Sequence, residues 1–295
     1  MQTMGSPKTG SRQFDYGKPL NGLRQAHCRQ GKYRAFTRLD LCVSITSAIL
    51  VIILVLFNLL GERGRILRCT HNLKKMGQAF HGYAGEHEGA FPPASSLLTG
   101  TSWDTAIKPY LRPDLFKTNS TYAKRELDRE VAASFLCPSD NVHRPRPRTY
   151  SMSGHDMLPQ NWPPGPDNAT GVGLVWDIKT VNTLFGEDGW ERATKNRSFL
   201  PSVKLSDVPD PANTLLLTEN VMPQNQVGGI LGATVRGVRQ QVMGFNGNRE
   251  QFHHGCFNYL MADGHVELLS PFKIGNAGSY DSIVPGDIWT IKAGD

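Results

Sequence analysis

Hydrophobic and polar positions change their pattern twice along the chain, and the first pattern is an unbroken apolar run. Residues 41–60, "LCVSITSAILVIILVLFNLL", contain no charged side chain. Twenty helical residues span roughly 30 Å, which is the thickness of the hydrocarbon core of a bilayer. The run therefore predicts a transmembrane helix over residues 36–60. A buried helix of a soluble protein is the alternative, although twenty uncharged residues are long for one.

The second pattern is a stripe of apolar residues at helical spacing. The positions recur at intervals of seven, three, four and three residues, and they are Ile66, Leu73, Met76, Phe80 and Tyr83. Such spacing is typical of an amphipathic helix, and Gly89 with the Pro92–Pro93 pair ends it. We predict that this helix continues from the membrane through residues 61–93 and lays its apolar stripe on an exported domain.

Short elements separated by turn residues occupy residues 94–295. "SWDTAIKPYL" predicts a short helix that ends near Pro109, and "NTLLLTE" (213–219) predicts a strand. "CFNYLMA" and "HVELLS" predict a hairpin near 257–270 around Asp263-Gly264, a dipeptide favoured in two-residue type I′ turns. The predicted fold class is α+β: a long N-terminal helix followed by a mostly antiparallel sheet domain with long loops.

The net charge of the chain lies in its N-terminal segment. The chain carries a net charge of +6, and residues 1–35 hold seven Lys or Arg against Asp15 alone, so residues 36–295 sum to zero. The exported domain therefore has no net positive charge that would attract nucleic acid. We predict that residues 1–35 form a disordered basic leader that stays in the cytoplasm, which sends the C-terminal domain across the membrane.

The cysteines agree with export without proving it. Cys69, Cys137 and Cys256 would lie outside the cytoplasm, where a disulfide can persist. Three cysteines permit one pair with one left over, and their spacing does not choose the pair.

The segment "FHHGCFNYLMADGHVELLS" (252–270) raises the question of a metal or catalytic site, because it holds three histidines, a cysteine and an aspartate. An extended strand would separate His253 from Asp263 by roughly 33 Å, so the two cannot share a metal ion within one hairpin. Asp263 and His265 are too few ligands for zinc, and no Cys-x2-Cys or His-Glu-x2-His motif adds donors. A structural hairpin is the interpretation that we favour.

The residues before the apolar run, "YRAFTRLDLCVSI", resemble the processing site of type IV prepilins. The resemblance places a cleavage junction between Ala35 and Phe36, and it makes Asp40 the intramembrane acid that neutralises a neighbouring subunit's N-terminal amine. It implies a prepilin peptidase and other pilin-like subunits as partners, beside the lipid bilayer. An uncleaved anchor descended from such a signal is the alternative, because Ala35, Arg38 and Asp40 depart from the usual residues.

Five ordered motifs are similar to those of the domain-of-unknown-function 1559 proteins, a pilin-like family. The motifs are "CTHNLKKMGQAFHGYAGEHEGAFPP", "SWDTAIKPYL", "FLCPSD", "LSDVPDPANTLLLTE" and the C-terminal His-x9-Asp-Gly motif. The last one is carried by His253, Asp263 and Gly264. Cys69 and Cys137 fall on family motif positions, so the resemblance implies that these two form the disulfide.

We therefore expect a single-pass, exported, pilin-like membrane protein that works through assembly or surface interactions. We expect no catalytic activity, no cofactor and no metal. The main alternative is an anchored module that binds a solute or carbohydrate between aromatic loops at 160–190. An anchored hydrolase is a third reading, which the absence of a Gly-x-Ser-x-Gly motif disfavours.

Overall fold

The apolar run and the amphipathic stripe belong to one helix. In the computed structural model, α1 runs from Arg38 to Glu86. The structure describes residues 37–118, 120–154, 171–195, 202–235, 237–242, 252–271, 274, 288–289 and 291. The chain divides into two compact units, Met1–Ile52 and Ile53–Asp295. The folded part of the second unit combines helices with two β-sheets, which confirms the α+β class.

The first half of α1 is apolar and uncovered. An 18-residue window of this helix has a mean hydropathy of 2.7, and none of its residues is buried. Among the described residues this is one helix long and apolar enough to cross a membrane. The helix begins with a reciprocal cap: Thr37 Oγ1 donates to Asp40 Oδ2 at 2.7 Å, and the Asp40 N–H donates to Thr37 Oγ1 at 3.2 Å.

The second half of α1 packs into the core. Leu73, Met76 and Phe80 are fully buried, whereas Ile66 and Tyr83 are partly buried, so the predicted stripe faces the domain. The helix ends where predicted, because Gly89 adopts a φ of 80° and its N–H donates to Ala84 O at 2.8 Å.

The helix is also tied to its neighbours by polar side chains. Asn72 Nδ2 donates to the carbonyls of Ala133 and Leu136 at 3.3 and 3.2 Å. Thr70 Oγ1 donates to Asn258 Oδ1 at 3.0 Å. These bonds fix the rotation of α1 about its axis, which apolar packing alone leaves loose.

A five-stranded sheet forms the other side of the core. Its strands are ordered β6-β3-β5-β7-β8, and only the β3–β6 pair is parallel. Their bounds are β3 (Tyr150–Ser153), β5 (Leu215–Glu219), β6 (Thr234–Val235), β7 (Phe257–Met261) and β8 (Val266–Leu269). Alternate residues of β7 point to opposite faces: Leu260 joins the cluster around α1, and Tyr259 joins a second cluster with Trp289.

Smaller elements surround the sheet. A second sheet has the order β2-β1-β4, with β1 (Ser95–Ser96), β2 (Thr101–Ser102) and β4 (Val175–Trp176). The remaining helices are α2 (Trp103–Leu111), α3 (Pro113–Phe116), α4 (Thr121–Ser134), α5 (Ile178–Phe185), α6 (Gly189–Lys195) and α7 (Val238–Val242), with a 3₁₀ turn at Leu205–Asp207.

Helix α2 ends within two residues of Pro109, near the predicted end. Helix α2 includes Pro109 and continues to Leu111. Proline within a helix costs about 3 kcal/mol through its lost hydrogen bond and its steric clash. Burial of Ile107 and Leu111 in the core offsets this cost, since each buried aliphatic side chain contributes about 1.5–3 kcal/mol.

The hairpin is present at its predicted position. A two-residue loop at Asp263-Gly264 predicts that Leu260 pairs with Glu267, and this register is wrong by one residue. Leu260 pairs with Val266 and not with Glu267. The loop has three residues, 262–264, and closes with Gly264 at a φ of 96°, whereas Asp263 does not adopt a positive φ.

Contacts with the neighbouring segment explain this register. The N–H of Ala262 donates to Thr214 O at 2.8 Å, and the N–H of Asp263 donates to Pro211 O at 3.0 Å. The loop is therefore shaped by the chain that enters β5, and a two-residue turn would break both bonds.

The buried stripe of α1 should carry much of the domain's stability. We expect Leu73→Ala to lower the free energy of unfolding by about 3 kcal/mol, because it leaves a cavity in the core. The matched control is Leu67→Ala, one turn and a half earlier, where the side chain is 69% exposed. Urea unfolding of the detergent-solubilised full chain measures both, and equal losses would contradict the packing of α1.

Candidate functional site

A disulfide joins α1 to the turn that follows α4. Cys69 and Cys137 are both fully buried, with Cα atoms 5.2 Å apart and a sequence separation of 68 residues. These are the two cysteines that the family resemblance singled out. Closing a loop of this length stabilises the fold by about 4 kcal/mol through the entropy of the unfolded chain. Cys256 remains a free thiol, as does Cys42 in the apolar half of α1.

The motif "FLCPSD" holds the Cys137 end of the disulfide in place. The Cys137 N–H donates to Thr149 Oγ1 at 2.9 Å, and Thr149 Oγ1 donates to Asp140 Oδ2 at 2.6 Å. Asp140 also forms an ion pair with Arg144, and both side chains are fully buried. Asp140 thus stabilises the turn that carries the Cys137 sulfur.

A left-handed turn places His253 beside the disulfide. His253, His254 and Gly255 have φ values of 46°, 57° and 91°. Two consecutive non-glycine residues in this region are uncommon, and each costs about 1–2 kcal/mol. The turn closes with the Gly255 N–H donating to Phe252 O at 2.9 Å, and it buries the His253 side chain while His254 stays exposed.

Both ring nitrogens of His253 contact carboxylates. Nε2 lies 3.0 Å from Glu219 Oε1, and Nδ1 lies 3.0 Å from Glu62 Oε1. Nε2 also lies 3.4 Å from Cys137 Sγ. A protonated imidazole donates to both carboxylates at once, so the geometry favours the charged form.

Glu219 is the fully buried partner, at the end of β5. The Asn258 N–H donates to Glu219 Oε2 at 2.8 Å, and Asn258 Nδ2 contacts both carboxylate oxygens at 3.3 and 3.4 Å. Glu62, near the middle of α1, is partly exposed and accepts from Ser139 Oγ at 3.0 Å. Every oxygen of the two carboxylates that faces His253 therefore has a donor.

The pKa values of this cluster shift toward an ion pair. Burial lowers the pKa of His253, but the hydrogen bond and charge of Glu219, followed by those of Glu62, raise it by more, and the net pKa lies above its ordinary value. Burial raises the pKa of Glu62, but hydrogen bonds from His253 and Ser139 and the charges of His253 and Arg65 lower it by more. Both shifts favour an ion pair between His253 and Glu62.

The structure distributes the residues predicted from the sequence among separate places. Ala35 and Phe36 lie outside the described residues. Asp40 closes the cap with Thr37 at the start of α1. Asp263 accepts from the His265 N–H at 2.9 Å in the hairpin loop, with Gly264 beside it, and neither contacts His253.

Sequence reasoning missed the partners of His253. It separated His253 from Asp263 correctly, but it looked for further donors only in local motifs, and the donors come from distant segments. Glu219 ends the quoted motif "NTLLLTE", a signal that could have been followed. Glu62 lies in "GERGR", and nothing in that stretch distinguishes it from a solvated helix residue.

Of the aromatic side chains at 160–190 that the structure describes, Trp176 lines an open pocket together with Tyr83, His87 and Phe91. Residues 155–170, which include Trp162, lie outside the described residues. Trp176 is 1% exposed and belongs to the core, and Trp190 is partly buried against it. These two rings stabilise the domain interior.

Comparison with known proteins finds one family. The family described as "Protein of unknown function (DUF1559)", with the short name SBP_bac_10, matches residues 62–240, more than half of the chain. No curated protein and no solved structure gives a match. The matched region includes Cys69, Cys137 and Glu219, and it ends before His253.

The raised pKa of His253 predicts how stability depends on pH. In the folded state the pKa of His253 lies above its unfolded value of about 6.5. The stabilisation that the charged imidazole contributes to the fold is therefore complete below about pH 6.5, and it is lost as the pH rises through the folded pKa. We expect the Tm of the oxidised protein to fall with pH above about 6.5. The groups facing His253 are Glu219 on β5, Glu62 on α1 and the disulfide.

The test compares His253→Asn with His265→Asn across this pH range. Asparagine tolerates the left-handed backbone of residue 253, so the substitution removes the charge without adding strain. Its Tm should be lower than wild type at acid pH, and the slope should flatten. His265 is partly exposed in the hairpin loop, and its variant should keep the wild-type slope. An unchanged slope in His253→Asn would show that another group controls the pH dependence.

Proposed function

Because the chain belongs to the DUF1559 family of proteins of unknown function, we propose that it is a single-pass, membrane-anchored, exported pilin-like protein. It works by assembly with other subunits or by surface interactions, and not by catalysis. Its partners are the lipid bilayer, other pilin-like subunits and, where the leader is removed, a prepilin peptidase.

The observation that carries the proposal is the uncovered apolar half of α1. A core helix of a soluble protein would bury this segment, but its apolar window is entirely exposed. Leaving one aliphatic side chain in water forgoes about 1.5–3 kcal/mol, and this segment holds more than ten of them. A lipid bilayer covers such a surface and matches its length.

Charge and covalent chemistry support the orientation. The basic leader carries the whole net charge of the chain and favours the cytoplasmic side. The buried Cys69–Cys137 disulfide favours an oxidising compartment for the domain that follows. The two arguments are independent, and both support a C-terminal domain outside the cytoplasm.

The burial of the polar cluster supports a role without catalysis. His253 is 4% exposed and Glu219 is fully buried, so neither side chain can contact a substrate that approaches from solvent. General acid–base catalysis requires hydrogen-bond reach to the substrate. The cluster instead connects α1, β5 and the turn at 252–255.

Fusion reporters test the orientation. Alkaline phosphatase fused after Asp295 should be active in cells, and green fluorescent protein fused at the same point should stay dark, because the former folds after export and the latter does not. The control is the same pair of fusions in a chain without residues 41–60, which should reverse both signals. Fluorescence from the full-length fusion would overturn the exported topology.

Substitutions at Asp40 and Thr37 distinguish a role of the acid in assembly from its role in capping the helix. If its carboxylate neutralises the N-terminal amine of a neighbouring subunit, Asp40→Asn should abolish cross-linked multimers and leave the monomer folded. Thr37→Ala removes the partner that caps the helix start but keeps the charge, so it should preserve the multimers at the cost of about 1 kcal/mol of helix stability.

The native N-terminus is read from the same preparations by intact-mass analysis. A mature chain that begins at methylated Phe36 supports processing, whereas a chain that begins at Met1 contradicts it. Multimers that survive Asp40→Asn would contradict the role of the acid in assembly, whatever the N-terminus is.

A further inference from the structure

Four metal-ligating side chains converge at the disulfide from four separate segments. Cys69 comes from α1, Cys137 from the turn after α4, Glu219 from β5, and His253 from the left-handed turn. All four are buried, and one donor atom from each lies within 4.8 Å of the other three. We propose that the reduced form of this protein binds one Zn²⁺ at these four residues, in place of the disulfide.

The spacing of the donors suits a tetrahedral zinc ion. Zinc lies about 2.3 Å from sulfur and about 2.0–2.2 Å from nitrogen or oxygen, which puts neighbouring donors about 3.3–3.8 Å apart. His253 Nε2 is already 3.4 Å from Cys137 Sγ and 3.0 Å from Glu219 Oε1. Once the S–S bond is broken, the two sulfurs need only side-chain rotation to reach this spacing.

Neighbouring groups orient His253 and Glu219 in the way that outer partners orient the ligands of protein zinc sites. The second nitrogen of His253, Nδ1, contacts the Glu62 carboxylate at 3.0 Å, an arrangement that fixes the ring and leaves Nε2 for the metal. The second oxygen of Glu219, Oε2, accepts from the Asn258 N–H at 2.8 Å, which leaves Oε1 for the metal. A carboxylate that orients a ligating histidine is a common outer partner of protein zinc ions.

The donor set also defines the kind of site. Two thiolates, an imidazole and a carboxylate select zinc over magnesium or calcium, which prefer oxygen ligands. Protein groups fill all four positions, so the ion would be structural and would have no open position for a substrate. The expectation of no metal rested on spacing within local segments, and this inference departs from it.

Reduction converts the disulfide form of the site into the form that binds zinc. A dithiol reductant closes to its own disulfide and supplies two electrons and two protons, so the Cys69–Cys137 bond breaks and two thiols form. Zinc binding then releases the two thiol protons and the proton on His253 Nε2 to solvent. In the reverse direction, a disulfide-containing oxidant accepts the two electrons of the thiolates and two protons from solvent to become a dithiol, the Cys69–Cys137 bond forms, and the ion is released. One buried site therefore holds either a covalent link or a metal link between α1 and the turn at Cys137.

Cobalt substitution in the full-length, detergent-solubilised protein tests the proposal. The protein is reduced with a phosphine, desalted without oxygen and titrated with Co²⁺. We expect thiolate-to-cobalt charge transfer and the visible bands of tetrahedral Co²⁺, which saturate at one ion per chain and disappear when Zn²⁺ is added. The oxidised protein should show neither signal, and native mass spectrometry should find one Zn²⁺ only in the reduced protein.

Variants separate this site from adventitious thiol binding. Cys137→Ser should abolish the charge-transfer signal, whereas Cys256→Ser, which removes the free thiol, should leave it unchanged. His253→Asn and Glu219→Gln should each weaken binding at least tenfold. Glu62→Gln, which alters an outer partner and no ligand, should weaken it about 10–100-fold.

Each contrary outcome overturns the proposal. These outcomes are a reduced protein without cobalt bands, bands that persist in Cys137→Ser, a His253→Asn variant that binds Co²⁺ as tightly as the wild type, and bands that vanish in Cys256→Ser. Near-ultraviolet circular dichroism establishes that each variant folds, and Cys137→Ser is compared with the reduced wild type because it cannot form the disulfide. If reduction unfolds the wild-type chain, Zn²⁺ must restore its spectrum, and failure to do so also overturns the proposal. None of these results depends on membrane orientation or assembly.

Discussion

A carboxylate with no access to solvent, Glu219 in the central strand β5, is the constraint on which the surrounding structure depends. Removing an ion from water costs several kcal/mol unless a charge partner and hydrogen bonds replace the solvent. The imidazolium of His253 supplies the charge, and Asn258 on β7 supplies the donors. The turn at 252–255, the β5–β7 pairing and the rotation of α1 must all be correct at once for this to hold.

A second buried ion pair constrains another part of the core in the same way. Arg148 and Asp104 form an ion pair at 2.5 Å with both side chains fully buried, and Arg148 also donates to Asn225 Oδ1 at 2.6 Å. Burial lowers the pKa of Arg148, and Asp104 opposes that shift. Such pairs add little net stability but penalise any other packing, because one misplaced partner leaves a buried charge alone. They make the arrangement of α2, β3 and the loop at 222–232 specific.

Local patterns predicted the elements of this fold, but not its site. The stripe of α1 and the strands β5, β7 and β8 follow from residues a few positions apart, which periodicity reads directly. The predicted hairpin register is wrong by one residue because Thr214 and Pro211, about fifty residues away, bind the loop through their carbonyl groups. The cluster around His253 depends on longer separations still, 34 residues to Glu219 and 191 to Glu62. No spacing rule connects them, and only the tertiary fold does.

The strained turn at His253 is explained by comparing two costs. Holding His253 and His254 in the left-handed region costs about 1–2 kcal/mol for each residue. An extended backbone would avoid this cost, but it would redirect the imidazole and leave Glu219 without its counter-charge, which costs about 3–5 kcal/mol. The two strained residues together cost about 2–4 kcal/mol, and at the centres of the two ranges the unpaired charge costs about 1 kcal/mol more, so the native state keeps the strain. The turn is therefore maintained by the electrostatics of β5 and α1, and the histidine of the C-terminal motif belongs to the core of the domain and not to the hairpin that follows it.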